Sequence, residues 1–169
     1  MKAAGVLLAI AIALALQTTL TRFIVRGTVA IDLGLVVVVY VALVSGPVTG
    51  LLSGAAAGLA QDALSSGIIG IGGLAKTLVG FLTGVIGQQF IVARPIPRFV
   101  VFVAATLLHA LVFIGLYVLL DLRQFGSPYA AIAGQAAGNA VVGVVAFQLV
   151  ELLPGALERR KAQRSRIRR

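Results

Sequence analysis

The chain contains no cysteine and no tryptophan, a single histidine, and only five acidic residues among 169. Without cysteine there are no disulfides, no thiolate metal sites and no cysteine nucleophile. One histidine and five acids leave little from which to assemble a conventional multi-ligand metal site. Charge is scarce as well. Charged residues make up 11% of the chain and hydrophobic ones 60%, where a soluble domain carries about 25% and about 45–50%. That balance excludes a soluble globular enzyme and excludes disorder. What remains is an integral membrane protein, with a mean hydropathy of +1.08. One span takes about 20 residues, so the chain accommodates roughly six, with short loops and no soluble domain.

The net charge of +9 is unevenly spread. Seven of the fourteen basic residues are Arg159, Arg160, Lys161, Arg164, Arg166, Arg168 and Arg169. On a soluble protein such a cluster suggests nucleic acid. Beside membrane spans it reads instead as a positive-inside signal, and nucleic acid is not expected as a partner. The organisation is therefore a membrane domain over residues 1–153 and a basic cytoplasmic tail over 154–169.

Apolar runs divide the membrane domain. Residues 3–21 form the first helix; a cleaved signal peptide is the alternative, with Lys2 as a minimal basic region. Residues 33–61 carry no charge, too many for one straight span. Gly46-Pro47 lies in their middle, and proline both lacks a donor and clashes with the preceding turn. The run thus splits into helices over 29–45 and 47–60, a tight hairpin. Further helices are expected over 68–92, 99–120 and 129–153. The segment Arg94-Pro95-Ile96-Pro97-Arg98 reads as a loop, and Pro154-Gly155 as the stop of the sixth helix. Basic residues flanking the spans put both ends of a six-helix chain in the cytoplasm. A five-span arrangement with one kinked helix satisfies the charge rule equally well.

The most regular pattern is Gly46, Gly50, Gly54 and Gly58, three successive GxxxG steps on one helix face. Such a stripe admits a second backbone at close range. It suits either packing within the monomer or an interface with a partner or a second copy. Gly80 with Gly84, and Gly134 with Gly138, repeat the spacing.

Asp62 and Lys76 are the charges nearest the membrane interior, and an ionisable group there is a functional hypothesis by default. Two arrangements suit them. They form an ion pair across a hairpin, or Asp62 caps the next segment while Lys76 snorkels. His109 stands mid-helix, and Gln135 and Asn139 share a face of the sixth helix. These three bond across helices or line a buried polar pocket. The basic tail suits anionic lipid, at about 1 kcal/mol per Lys or Arg near the surface; an acidic cytoplasmic partner is the competing use. No catalytic triad, HExxH or Walker A pattern occurs, so no catalytic, metal or cofactor-binding residue is expected. Gly70-Ile71-Gly72-Gly73 lacks the preceding strand and the Lys-Ser/Thr ending of a phosphate loop.

The stretch over residues 50–87 resembles the bacterial rod shape-determining protein MreD family. It runs from small residues through Gly58-Leu59 to Asp62, then a small polar turn, then a glycine-rich helix with Gly70 and Gly80. Gln17-Thr18-Thr19 near the end of the opening helix fits the same family. The resemblance implies an all-α polytopic bundle, similar to the substrate-binding subunits of energy-coupling factor vitamin transporters. It implies a non-enzymatic, multi-pass subunit of the cell-elongation machinery in the bacterial inner membrane. Such a subunit binds MreC, a single-span protein, joins other elongation proteins, and helps couple the MreB cytoskeleton to peptidoglycan synthesis. A vitamin-binding transporter subunit is the alternative function. An ion-coupled carrier is the weakest alternative, for want of paired buried acids.

Overall fold

The computed structural model describes residues 3–23, 31–65, 68–90, 94–122 and 128–167, and side chains within 3–19 and up to residue 152. Six helices follow one another, with no strand among the described residues: α1 Ala3–Phe23, α2 Leu33–Ser45, α3 Pro47–Leu64, α4 Ile71–Gln89, α5 Pro95–Leu119 and α6 Tyr129–Ile167. Helices α4, α5 and the part of α6 over Tyr129–Leu152 are long and apolar enough to cross a membrane. Shorter apolar stretches lie at Ala3–Thr19 and Leu33–Ser45. The chain is an all-helical membrane protein.

Helix α2 is the axis of the bundle and touches each of the other five. Its sequence, LGLVVVVYVALVS, is apolar on every side, as suits a helix mostly buried among its neighbours. One flank carries Val38 and Val41 against Val6, Ile10 and Leu14 of α1 and Ala57 of α3. The other carries Leu35, Val36 and Val39 against Val79 of α4, Phe102 and Ala105 of α5, and Ala140 and Phe147 of α6.

Gly46 joins α2 to α3 at φ +86°, a conformation open to glycine at little cost, and Pro47 opens α3 where its missing N–H is not needed. The hairpin expected at Gly46-Pro47 is present. Helix α3 runs one turn beyond residue 60 and takes in Gln61 and Asp62.

Two expected breaks are absent. Pro95 and Pro97 do not make a loop; they lie in the first turn of α5, which begins at Pro95. The first four N–H groups of a helix have no intrahelical acceptor, so prolines there remove nothing. Nor does Pro154-Gly155 stop α6, which continues to Ile167. Residues 156–164, ALERRKAQR, are almost all strong helix formers and offset one lost hydrogen bond.

Candidate functional site

Five buried polar residues, Asp32, Lys76, Thr106, His109 and Asn139, converge where α2 begins. Asp32 immediately precedes α2 and caps it, its Oδ1 accepting from the Leu35 N–H at 2.9 Å. At 13 residues α2 is short, about 20 Å against a hydrocarbon core of about 30 Å. Its start is therefore recessed, level with the middle of α5 and α6. Non-helical backbone at that depth must be satisfied by protein, and it is: the Asp32 N–H donates to Asn139 Oδ1 at 2.9 Å.

The second carboxylate oxygen, Asp32 Oδ2, accepts from Lys76 Nζ at 2.6 Å. Lys76 also reaches His109 Nε2 at 3.2 Å. An ammonium only donates, so Nε2 is the acceptor and the imidazole carries its proton on Nδ1. Asn139 Nδ2 donates to Thr106 Oγ1 at 3.2 Å, and Thr106 donates to the Phe102 carbonyl. Asp32, Lys76, Thr106, His109 and Asn139 are all buried, Lys76 at 2% exposure. One ion pair with its hydrogen bonds thus ties together α2, α4, α5 and α6. Interhelical hydrogen bonds in membranes average about 0.6 kcal/mol. Breaking a buried pair by removing one partner typically costs about 3–5 kcal/mol. Held this way, the ion pair fixes which helices meet at the recessed end of α2.

Of the residues singled out by sequence, Lys76, His109 and Asn139 meet in this network. Gln135 is half-buried one turn from Asn139 and takes no part in it. Lys76 neither pairs with Asp62 nor snorkels, because Asp32 supplies its counter-charge inside the bundle. Asp62 does cap the next helix. Its Oδ2 accepts from the N–H of Gly70 at 2.8 Å and of Gly73 at 3.1 Å, at the start of α4. Gly70 reaches this geometry at φ +111°. A side chain at Gly72 would overlap the Asp62 carboxylate.

The glycine stripe lies against α4 of the same chain. A methyl at Gly50 would overlap the Gly80 carbonyl, one at Gly54 the Lys76 carbonyl, and one at Gly58 the backbone of Gly72 and Gly73. Gly46 faces the side chain of Gln88. Gly80 and Gly84 return the contact to Gly50 and Pro47, so α3 and α4 pack antiparallel, backbone to backbone. This close packing carries Lys76 to the level of Asp32.

Asp32 was not singled out by sequence. Its signal is the N-cap pattern of an acid directly before an apolar run. Arg98 and Glu151 are the other missed pair. Arg98, 5% exposed, donates to both carboxylate oxygens of Glu151 at 3.0 and 2.5 Å and lies 4.3 Å over the Phe147 ring. The pair clamps α5 to α6 at the end opposite the α5–α6 connection. Gln17, of the opening-helix motif, accepts from the Gly34 N–H at 3.3 Å and so joins α1 to α2. The basic residues 159–166 lie in the helical extension of α6, their side chains outside the description; Arg168 and Arg169 lie outside the described residues.

A comparison with protein families matches residues 2–154 to the rod shape-determining protein MreD. No curated protein and no solved structure matches the chain. The likeness to energy-coupling factor subunits thus rests on the sequence resemblance alone. The family match covers nearly the whole helical bundle, network included, and the chain belongs to the MreD family of rod shape-determining proteins.

Proposed function

We propose that this protein is a non-enzymatic subunit of the cell-elongation machinery of the bacterial inner membrane. It binds an MreC-like single-span protein and, with other elongation proteins, helps couple the MreB cytoskeleton to peptidoglycan synthesis. The basic end of α6 lies in the cytoplasm. The observation that carries this reading is the family match over residues 2–154, which assigns a role in rod shape determination. The geometry supports it. His109 and Asn139, the groups a vitamin-binding subunit would turn toward a ligand, are engaged instead by Lys76, Asp32 and Thr106. With the polar groups around Asp32 bonded to one another, the work falls to surfaces.

Complementation tests the reading. The protein is expressed in a rod-shaped bacterium depleted of its own MreD family member. Restored rods support the proposal. Cells that stay round despite normal membrane levels of the protein, in a host supplied with the cognate single-span partner, count against it.

A further inference from the structure

Helix α2 lies at the centre of the bundle, and its neighbours follow one another around it. Helix α1 touches α3, α3 touches α4, α4 touches α5, and α5 touches α6. Among the described residues α6 and α1 do not touch, so the ring is open between them. Helices packed at about 8–10 Å leave room for about six around a central one. This chain supplies five, and the opening is about one helix wide.

The burial of α2 marks the face turned to this opening. Leu33, Val37, Tyr40 and Val44 recur at helical spacing on one side. The first three are half-buried and Val44 is 51% exposed, whereas most other residues of α2 are buried. Tyr40 packs against both core clusters, the one shared with α1 and α3 and the one shared with α4, α5 and α6. It therefore stands between α1 and α6. An amide borders the opening on the α6 side. Gln135 is half-buried within the apolar span, about 9 Å along the axis from Tyr129. The helical period sets it beside Asn139, which meets Asp32, and away from Gly143 and Glu151, which face α5. Its amide has no hydrogen-bond partner among the described residues. Acyl chains offer none either; in lipid such groups are satisfied across helices. The opening thus combines the width of a helix with a polar group that hydrocarbon leaves unserved.

We propose that the membrane-spanning helix of a single-span partner fills this opening, packing along Leu33, Val37, Tyr40 and Val44 and bonding to the Gln135 amide. The proposal rests on the protein-partner reading above. A lone span is free around its whole perimeter, so α1, α2 and α6 can enclose it together. Photo-crosslinking tests the contact. The full chain, with p-benzoyl-L-phenylalanine in place of Val44, is co-expressed with the single-span partner and irradiated in its membranes. Chains carrying the probe in place of Leu52 on α3 or Leu111 on α5, 62% and 71% exposed, are the comparison. The expected result is an adduct to the apolar span of the partner from position 44 and none from the other two. Val44→Trp should weaken co-extraction of the partner about tenfold, while Leu52→Trp leaves it unchanged. Gln135→Leu should weaken it about threefold, the effect of one average intramembrane hydrogen bond. Adducts from position 44 only to lipid, or to a second copy of the chain, while the partner still co-extracts, would overturn the proposal and assign the opening to that occupant. Partner adducts from all three positions alike, or equal effects of the two Trp variants, would overturn it too. An unchanged Gln135→Leu variant would overturn the role given to Gln135. The underlying reading is judged separately: failure of the unaltered chain to co-extract the partner overturns that reading, whatever the adducts show.

Discussion

Lys76 places its ammonium 2.6 Å from Asp32, 44 residues away, although Asp62 is nearer in sequence. This contact organises the bundle. Asp32 starts α2 at mid-bundle level, Lys76 arrives there because α4 packs backbone to backbone on α3, and His109 and Asn139 complete the surroundings. A charge alone at this depth is costly; each of the two is tolerable because the other is present.

Asp32→Asn and Lys76→Met should each destabilise the protein strongly, by about 3–5 kcal/mol. Each leaves a buried charge without its partner. The double variant should recover much of that loss, since a neutral amide and a thioether leave no charge in the interior. Unfolding of the four proteins in a fixed lipid or detergent gives the coupling as a double-mutant cycle. Additive losses would show that the two side chains act independently.

Gly54→Leu should disrupt the α3–α4 contact, since its first added carbon already meets the Lys76 carbonyl. Overpacking typically costs about 1–3 kcal/mol, and rigid backbone on the facing side leaves little room to relax. Gly115→Ala is the control, with open space around the added carbon; in a helix interior it should be neutral or stabilise by up to about 1 kcal/mol. Thermal stability of both variants in the same lipid checks the contrast. Equal effects would contradict the packing described for the stripe.

Asp62→Ala should cost about 0.5–2 kcal/mol, the usual range for loss of a helix cap. Asp62→Asn keeps an oxygen for the Gly70 and Gly73 N–H groups and should cost less. Hydrogen exchange of the amides at the start of α4 should rise in the Ala variant and change little in the Asn variant. A matching rise in both would mean that the negative charge matters more than the acceptor.

Much of this architecture was legible from residue order. Composition required a membrane bundle, and Gly46-Pro47 located the α2–α3 hairpin. The four-residue glycine spacing marked the face of α3 that another backbone approaches, but not that the backbone is that of α4. What misled was local chemistry judged without position. Pro95 and Pro97 break a helix interior but not its first turn, and Pro154 was outweighed by the helix formers that follow it. The main polar contact was hidden for a different reason. Asp32 borders a segment containing Arg22 and Arg26, so it resembles an ordinary loop acid; only the short length of α2 carries it into the interior. Long-range pairs such as Asp32 with Lys76, or Arg98 with Glu151, depend on which helices become neighbours, and hydrophobic periodicity does not encode that.

Glu151→Gln should loosen α6 at its exit from the bundle. The change removes the negative charge that meets both guanidinium arms of Arg98, a buried cation that also lies over the Phe147 ring. Paired labels on α5 and α6 near this level should show a broader distance distribution in the variant, while labels beside His109 and Asn139 stay unchanged. Broadening at both levels would mean that the clamp and the central network are one unit.

Native mass spectrometry of the protein, extracted gently from its own membranes, distinguishes a scaffold subunit that works through a protein partner from a ligand-binding one. A scaffold subunit should co-extract with a single-span membrane protein and carry no bound small molecule. A stoichiometric small ligand, without a protein partner, would contradict the scaffold reading and make Gln135, Asn139 and His109 the first residues to examine as a binding pocket.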